Sequence, residues 1–263
     1  MLPALLLAFQ LPIALPTVLE QWKSEIEART FNKIEILRIP GDVGSPQDRQ
    51  VLTSYFNQPD FAESFSRAQA LTFRYEMAGR SRSLILLNLA RMEQTQNSPP
   101  VLIAHELGHI WLASLGLLPP QYEPGPEACL AIHYGDIAQH ILIRRESDRR
   151  KFDWRTAYAR DYEAAYESLR REPVSAAMGD ACFRAQRLSL MVDVRDSFAA
   201  GAFAARDPYL EILAAQDRDA EAIAIEVLEQ LDGKIGLEQA DYDAALRVAK
   251  QAVYRLLGMA SPQ

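Results

Sequence analysis

The sequence predicts an α+β fold that is mostly α, with a small sheet in the N-terminal half and a helical C-terminal half. Short alternating or apolar runs indicate strands at 34–38, 71–77 and 84–89, all early in the chain. Beyond about Asp153 the pattern is helical. Hydrophobic residues make up 49% of the 263 residues, so the chain can bury a sizeable core.

The N-terminal elements follow in order. Residues 17–38 are predicted to form a helix that leads into the first strand, and the prolines and glycines of 40–46 to form a loop. Residues 47–70 have a helical pattern that is interrupted near 57–59. A turn is expected at 79–83, between the second and third strands, and the third strand has the length of a buried one.

Two helices are predicted at the centre of the chain. Ser98 can cap the first helix and Pro99 can occupy its first turn, so that 101–115 continues as one helix. Gly116 is suited to end it. A second helix is expected from about 126 to 145, after a loop rich in proline. The later helical segments are 153–171, 181–200, 207–231 and 237–258.

Composition and charge limit the classes of function. The formal net charge of −7 argues against a broad nucleic-acid surface, which needs clustered positive charge. Residues 1–16 form a strongly apolar segment that is too short to span a bilayer as a helix, so no stable transmembrane anchor is expected. This segment is similar to the apolar part of a secretory signal. We therefore favour an exported protein, periplasmic or secreted, over a cytoplasmic one, with an N-terminal segment packed on the domain as the alternative.

The chain has two cysteines, Cys129 and Cys182, and no CxxC pair. A two-cysteine zinc site is therefore not indicated. One disulfide is expected if the chain is exported, and two reduced, buried thiols are the alternative.

One motif carries chemistry. The segment 103–110 reads IAHELGHI and contains HExxH. Residues four apart share one face of a helix, so His105 and His109 are predicted to reach the same ion. Zinc accepts imidazole nitrogen and keeps a position for water when the protein supplies three ligands, and Glu106 can then accept a proton from that water. The alternative is a pair of core or surface histidines with no metal.

HELGH on a helix preceded by a short strand resembles the zincin metallopeptidases. The resemblance covers residues 84 to about 145 and implies one Zn²⁺ ion, with His105 and His109 as ligands and Glu106 as general base. It also implies that strand 84–89 lies antiparallel to a bound substrate.

The likeness is to the gluzincins rather than to the metzincins. The metzincin pattern would need glycine at position 112 and histidine at 115, where this chain has Leu112 and Leu115. Under the resemblance, residues 17–150 form a zincin-like metal-binding core. Residues 151–263 are a helical portion that is expected to pack on this core as one domain.

The third ligand is expected further along the chain. We prefer His140, which forms a narrow stripe with Asp136 and His133 on the second predicted helix. Asp136 is either an alternative ligand or a carboxylate that orients an imidazole. Glu127 is the rival, near the spacing at which gluzincins place a glutamate ligand, although a glutamate in a first helical turn has an ordinary dipole role.

Three side chains are candidates for stabilising a transition state by donating to an oxyanion. They are Tyr122, Tyr134 and His133. Each also has an ordinary structural interpretation, because tyrosines are common at the edges of cores.

The expected function is zinc-dependent hydrolysis of peptide bonds in a peptide or protein substrate. Two alternatives stay open. One is a catalytically inactive zincin-like binding or regulatory module, and the other is a zinc hydrolase of a non-peptide amide or ester.

Overall fold

The structure, a computed structural model, describes residues 13–260 apart from 43, 59–60, 63–64, 67, 78–79, 96–97, 122–125 and 172–179. The predicted class, α+β and mostly α, is confirmed. The chain divides into two compact units after Ile110. We call the part up to Ile110 the sheet unit and the part from Trp111 the helical unit. Most of the predicted signal-like segment lies outside the described residues.

The sheet unit combines one three-stranded sheet with helices. Strand β3 lies in the centre, parallel to β1 on one side and antiparallel to β2 on the other. The elements are α1 (Thr17–Thr30), β1 (Lys33–Ile39), α2 (Pro46–Phe56), β2 (Ala70–Met77), β3 (Arg80–Asn88), α3 (Leu89–Thr95) and α4 (Pro99–Ser114), which continues past the division.

The apolar run of β3 reflects its central place. Both faces of the sheet are covered, and the four residues 84–87 have no exposed surface. Leu84 and Leu86 belong to a cluster on one face with Phe73 and Tyr75 of β2. The residues between them face the opposite side because side chains alternate along a strand. A strand buried on both faces has no polar alternation, as its sequence predicted.

Strand β3 begins earlier than its sequence indicates. The segment 79–83 was expected to be a turn, but β3 starts at Arg80. The side chains of Arg82 and Ser83 have partners within the sheet unit, which lets these polar residues lie in a strand. Arg82 Nη2 lies 2.6 Å from Glu35 Oε1, and the Ser83 hydroxyl accepts from Asn32 Nδ2 at 2.9 Å.

Helix α4 starts and stops close to the predicted positions. The Ser98 carbonyl accepts a hydrogen bond from Val101 N at 3.1 Å in the first turn. At the other end Gly116 has a φ of 85°, a left-handed conformation that glycine adopts without steric cost. Helix geometry between these ends sets the direction of the motif side chains.

The helical unit contains six helices among its described residues. They are α5 (Pro126–Arg149), α6 (Arg155–Arg171), α7 (Ala181–Ser197), α8 (Arg206–Gln216), α9 (Arg218–Leu231) and α10 (Gln239–Leu256). Helix α5 packs against α7 and α10. Within the described part of the chain, every helix is too short or too polar to traverse a lipid bilayer.

The segment 207–231, predicted as one helix, is two. Asp217 has an extended backbone, and its side chain accepts a hydrogen bond from Ala220 N at 3.1 Å, which caps α9. Its carboxylate also lies 2.6 Å from Arg184 Nε of α7. Arg184, which lies on another helix, holds the capping residue Asp217 and so stabilises the break between α8 and α9. The local sequence pattern gives no sign of this distant partner.

Candidate metal centre

The two motif histidines lie side by side on α4. Nε2 of His105 and Nε2 of His109 are 3.2 Å apart, and their ring centroids are 4.8 Å apart with the planes nearly perpendicular. Both rings are half-buried. The helical spacing thus brings the two nitrogens to one point, as the sequence predicted.

This separation fits a shared zinc ion. Zinc–imidazole bonds of about 2.0–2.1 Å in a tetrahedron place two ligand nitrogens about 3.3 Å apart. The observed 3.2 Å matches that value. The same distance also suits one hydrogen bond between neutral rings of opposite tautomers. The arrangement can hold a metal without moving the α4 backbone.

Glu106 is held by the sheet. Its side chain is only 8% exposed, and the Thr72 hydroxyl lies 2.5 Å from its Oε2. The same hydroxyl lies 3.4 Å from the Glu106 carbonyl oxygen. Thr72 belongs to β2, 34 residues away, and sequence reasoning missed it because an alternating strand gives no sign of what each side chain touches. The contact orders the carboxylate that the motif predicts to be the general base.

The position of β3 corrects one expectation. Strand 84–89 was expected to lie antiparallel to a substrate, but β1 and β2 occupy both of its edges. A strand that is paired on both sides cannot add a third backbone partner. Among the described residues, β2 is the strand next to Glu106 that is paired on one side only.

His140 lies in a charged cluster of the helical unit. Its Nδ1 is 3.0 Å from Asp193 Oδ2 of α7, and the second oxygen of that carboxylate is 2.8 Å from Arg144 Nη1. Burial by itself would lower the pKa of His140, but Asp193 and Asp136 outweigh burial and raise it. Sequence reasoning missed Asp193, which lies 53 residues away, and Arg144.

The predicted stripe on α5 is present. Asp136 lies between the two imidazoles, with its oxygens 3.8 Å from His133 Nδ1 and 3.7 Å from His140 Nε2. Burial lowers the pKa of His133 to about 4, and His140 adds to the effect. His133 is therefore neutral near pH 7 and cannot act as a cationic oxyanion donor there. These two separations are longer than a hydrogen bond, and both roles predicted for Asp136 stay predictions.

The remaining candidates have different surroundings. Glu127 is exposed in the first turn of α5, where Tyr254 is its hydrogen-bond partner. Burial, with Tyr254 and Glu127, raises the pKa of Tyr134, so its hydroxyl keeps its proton and can donate. Tyr122 lies outside the described residues.

The two cysteines form a disulfide in the helical unit. Cys129 of α5 and Cys182 of α7 are bonded, with their Cα atoms 5.7 Å apart. His133 Nε2 lies 3.9 Å from Cys182 Sγ, so these three residues resemble a metal-ligand set. Bonded sulfurs offer no thiolate, however, and thiolate is the form that binds zinc. Of the two states expected for the cysteines, a disulfide or two reduced thiols, the structure shows the disulfide.

Comparison with known proteins found no relative of this chain. No protein-family model, no curated protein and no solved structure matches the chain. The zincin resemblance of residues 84 to about 145 stays a prediction, and the HExxH segment on α4 carries it.

Proposed function

We propose that this chain is a zinc-dependent hydrolase of peptide bonds of the zincin type. His105 and His109 are two of the metal ligands and Glu106 is the general base. The observation that supports this most directly is the 3.2 Å separation of the two Nε2 atoms.

The residues divide the chemistry between them. A bound zinc ion supplies Lewis acidity, which polarises the scissile carbonyl and lowers the pKa of water. Glu106 accepts the proton of the attacking water and later delivers it to the leaving amine. Thr72 holds that carboxylate in one orientation through its hydroxyl. Tyr134 is a candidate donor to the oxygen that gains negative charge.

His140 is the preferred third ligand, with Asp136 and Glu127 as alternatives. The Asp193 carboxylate at Nδ1 leaves Nε2 of His140 as the nitrogen that binds a metal. Asp136 stands between two imidazoles, which suits an orienting role. The contact of Glu127 with Tyr254 gives that glutamate a structural role.

An extended peptide is the substrate shape that the sheet unit favours. The Asn88 amide donates to the Gln69 carbonyl at 2.8 Å, which sets the alternation of hydrogen-bonded pairs between β3 and β2. The backbone groups of residues 70, 72, 74 and 76 consequently point away from β3. A substrate strand that pairs with this edge would pass Thr72, whose side chain contacts Glu106.

An exported location fits the disulfide. Disulfides persist in oxidising compartments and are rare in the cytosol. The bond between Cys129 and Cys182 therefore supports the periplasmic or secreted location favoured by the apolar N-terminal segment.

The test combines metal analysis with peptide cleavage. We expect about one zinc per chain and turnover of a broad peptide library by the full chain. Glu106→Gln should keep its zinc and lose at least about 100-fold in rate, the usual contribution of general acid–base catalysis. Glu93→Gln is the matched control, because the same change falls on an exposed glutamate.

Three outcomes would contradict the proposal. Equal turnover by wild type and Glu106→Gln removes the role of Glu106. Protein that takes up no zinc removes the metal centre. Zinc without turnover of any peptide leaves the binding module, or the hydrolase of a non-peptide amide or ester, in place of the peptidase.

A further inference from the structure

We infer that Asp193, itself oriented by Arg144, is a positioning residue that holds His140 in the tautomer that can bind zinc through Nε2. This inference rests on the proposed function and on His140 as the third ligand. It assigns a role to two residues that the HExxH motif does not include.

The geometry links three side chains in a row. Asp193 Oδ2 is 3.0 Å from His140 Nδ1, and Asp193 Oδ1 is 2.8 Å from Arg144 Nη1. Arg144 Nε in turn donates to Asp196 Oδ2 at 2.8 Å. The Arg144 side chain is 8% exposed and the Asp193 side chain 15%, so water competes little for these contacts. Each oxygen of Asp193 thus has its own donor.

The Asp193 contact selects the tautomer of His140. A carboxylate only accepts hydrogen bonds, so Nδ1 of a neutral His140 must carry the proton. The lone pair then lies on Nε2, the nitrogen on the far side of the ring. Zinc binds neutral imidazole through a lone pair, and a carboxylate on the other nitrogen fixes the ring and makes it more basic.

Arg144 makes this selection testable with a single isosteric change. Arginine donates hydrogen bonds and never accepts them. In Asp193→Asn the amide oxygen must therefore face Arg144, and the NH₂ group must face His140. The NH₂ group donates, so Nδ1 has to accept and the proton moves to Nε2. His140 then presents a proton where the metal should bind.

Asp196→Asn is the matched control. It removes the same charge from the same helix and from the same arginine, three residues further along. Its contact is with Arg144 rather than with His140. A loss of zinc affinity that followed only from the removal of one negative charge would be equal in the two variants.

The experiment measures zinc affinity by competition with a chelator, using the full chain and each variant. We expect Asp193→Asn to weaken zinc binding about 10- to 100-fold, the usual cost of losing a hydrogen-bond partner of a metal ligand. Asp196→Asn should stay close to wild type. In a His140→Ala background, Asp193→Asn should cause no further loss. The visible spectrum of the Co²⁺-loaded protein should change in Asp193→Asn and not in the control.

The outcomes separate this inference from the proposed function. If wild type binds no zinc, the proposed function fails. If wild type binds zinc and Asp193→Asn binds it equally well, only the role of Asp193 fails. If the ion pair is purely structural, Asp193→Asn lowers the stability of the metal-free protein and leaves its zinc affinity unchanged. That result also overturns the inference. If Asp193→Asn does not fold, Asp193→Glu keeps the charge and the acceptor while moving them by one methylene, and wild-type affinity in that variant would count against a positioning role.

Discussion

The sheet unit and the helical unit accommodate buried polar groups in different ways. In the sheet unit the buried polar groups have mainly neutral partners. Asn88 donates to the Phe65 carbonyl and Asn32 pairs with Ser83. Two buried carboxylates, Asp48 and Glu106, accept from the hydroxyls of Tyr75 and Thr72. In the helical unit buried charged groups form ion pairs: Arg144 pairs with two aspartates, and Glu146 with Arg149 and Arg150. A disulfide is added to these pairs.

This difference predicts different sensitivities to solution conditions. A core of apolar side chains and neutral hydrogen bonds responds weakly to pH and not at all to reductant. Buried ion pairs depend on the charge of both partners, and a disulfide depends on the redox state. We therefore expect the surroundings of His140 to respond to pH and reductant. The strands beside Glu106 should depend mainly on packing, with a pH contribution from Asp48, whose carboxylate has a lowered pKa.

The largest effect is expected from the disulfide. Removing it with the double change Cys129→Ala and Cys182→Ala should lower the free energy of unfolding. The bond closes a loop of 53 residues, for which the chain-entropy relation gives about 4 kcal/mol. Urea unfolding measures the change. A thiol reductant should lower the free energy of unfolding of the wild type toward that of the variant and leave the value of the variant unchanged. If the reductant does not change the value of the wild type, the bond does not stabilise the helical unit.

The next effect tests packing in the sheet unit. Leu86 has no exposed surface in β3, and its truncation in Leu86→Ala should cost about 3 kcal/mol, since buried leucines typically lose 2–5 kcal/mol. Ile225→Ala, at a side chain that is 41% exposed, is the control and should stay within about 0.5 kcal/mol. Urea unfolding of each variant, compared with the wild type, gives the two values. Similar losses in both variants would show that burial in the sheet does not dominate.

The smallest effect tests the charged cluster through pH. Burial raises the pKa of Asp193, but Arg144 and His140 outweigh it and lower that pKa to about 2 from the ordinary aspartate value of 3.8. A lowered folded-state pKa stabilises the protein above pH 4, and this stabilisation is lost as the pH falls toward 2. The lost stability is about 2 kcal/mol, because one pKa unit corresponds to about 1.4 kcal/mol.

The measurement compares metal-free wild type with Asp193→Asn. The free energy of unfolding at pH 5 and at pH 2.5 should fall less in the variant, which has no carboxylate to protonate at this position. Parallel declines in the two proteins would show that Asp193 does not carry this pH dependence.

Several features could be predicted from the sequence because they depend on neighbours along the chain. The α4 helix, its glycine end and the convergence of His105 and His109 all follow from helical periodicity. The three strands were also predicted, although β3 begins at Arg80 rather than after a turn. Local patterns failed where a distant partner decides the outcome, as at Asp217, which Arg184 holds in place.

The amino-acid sequence by itself determined the mostly helical class and the pair of imidazoles one helical turn apart, because both depend on contacts within a few residues. Tertiary structure alone decided which groups support that chemistry. Thr72 reaches Glu106 across 34 residues, and Asp193 reaches His140 across 53. Such pairings depend on how strands and helices pack, and no spacing along the chain encodes them.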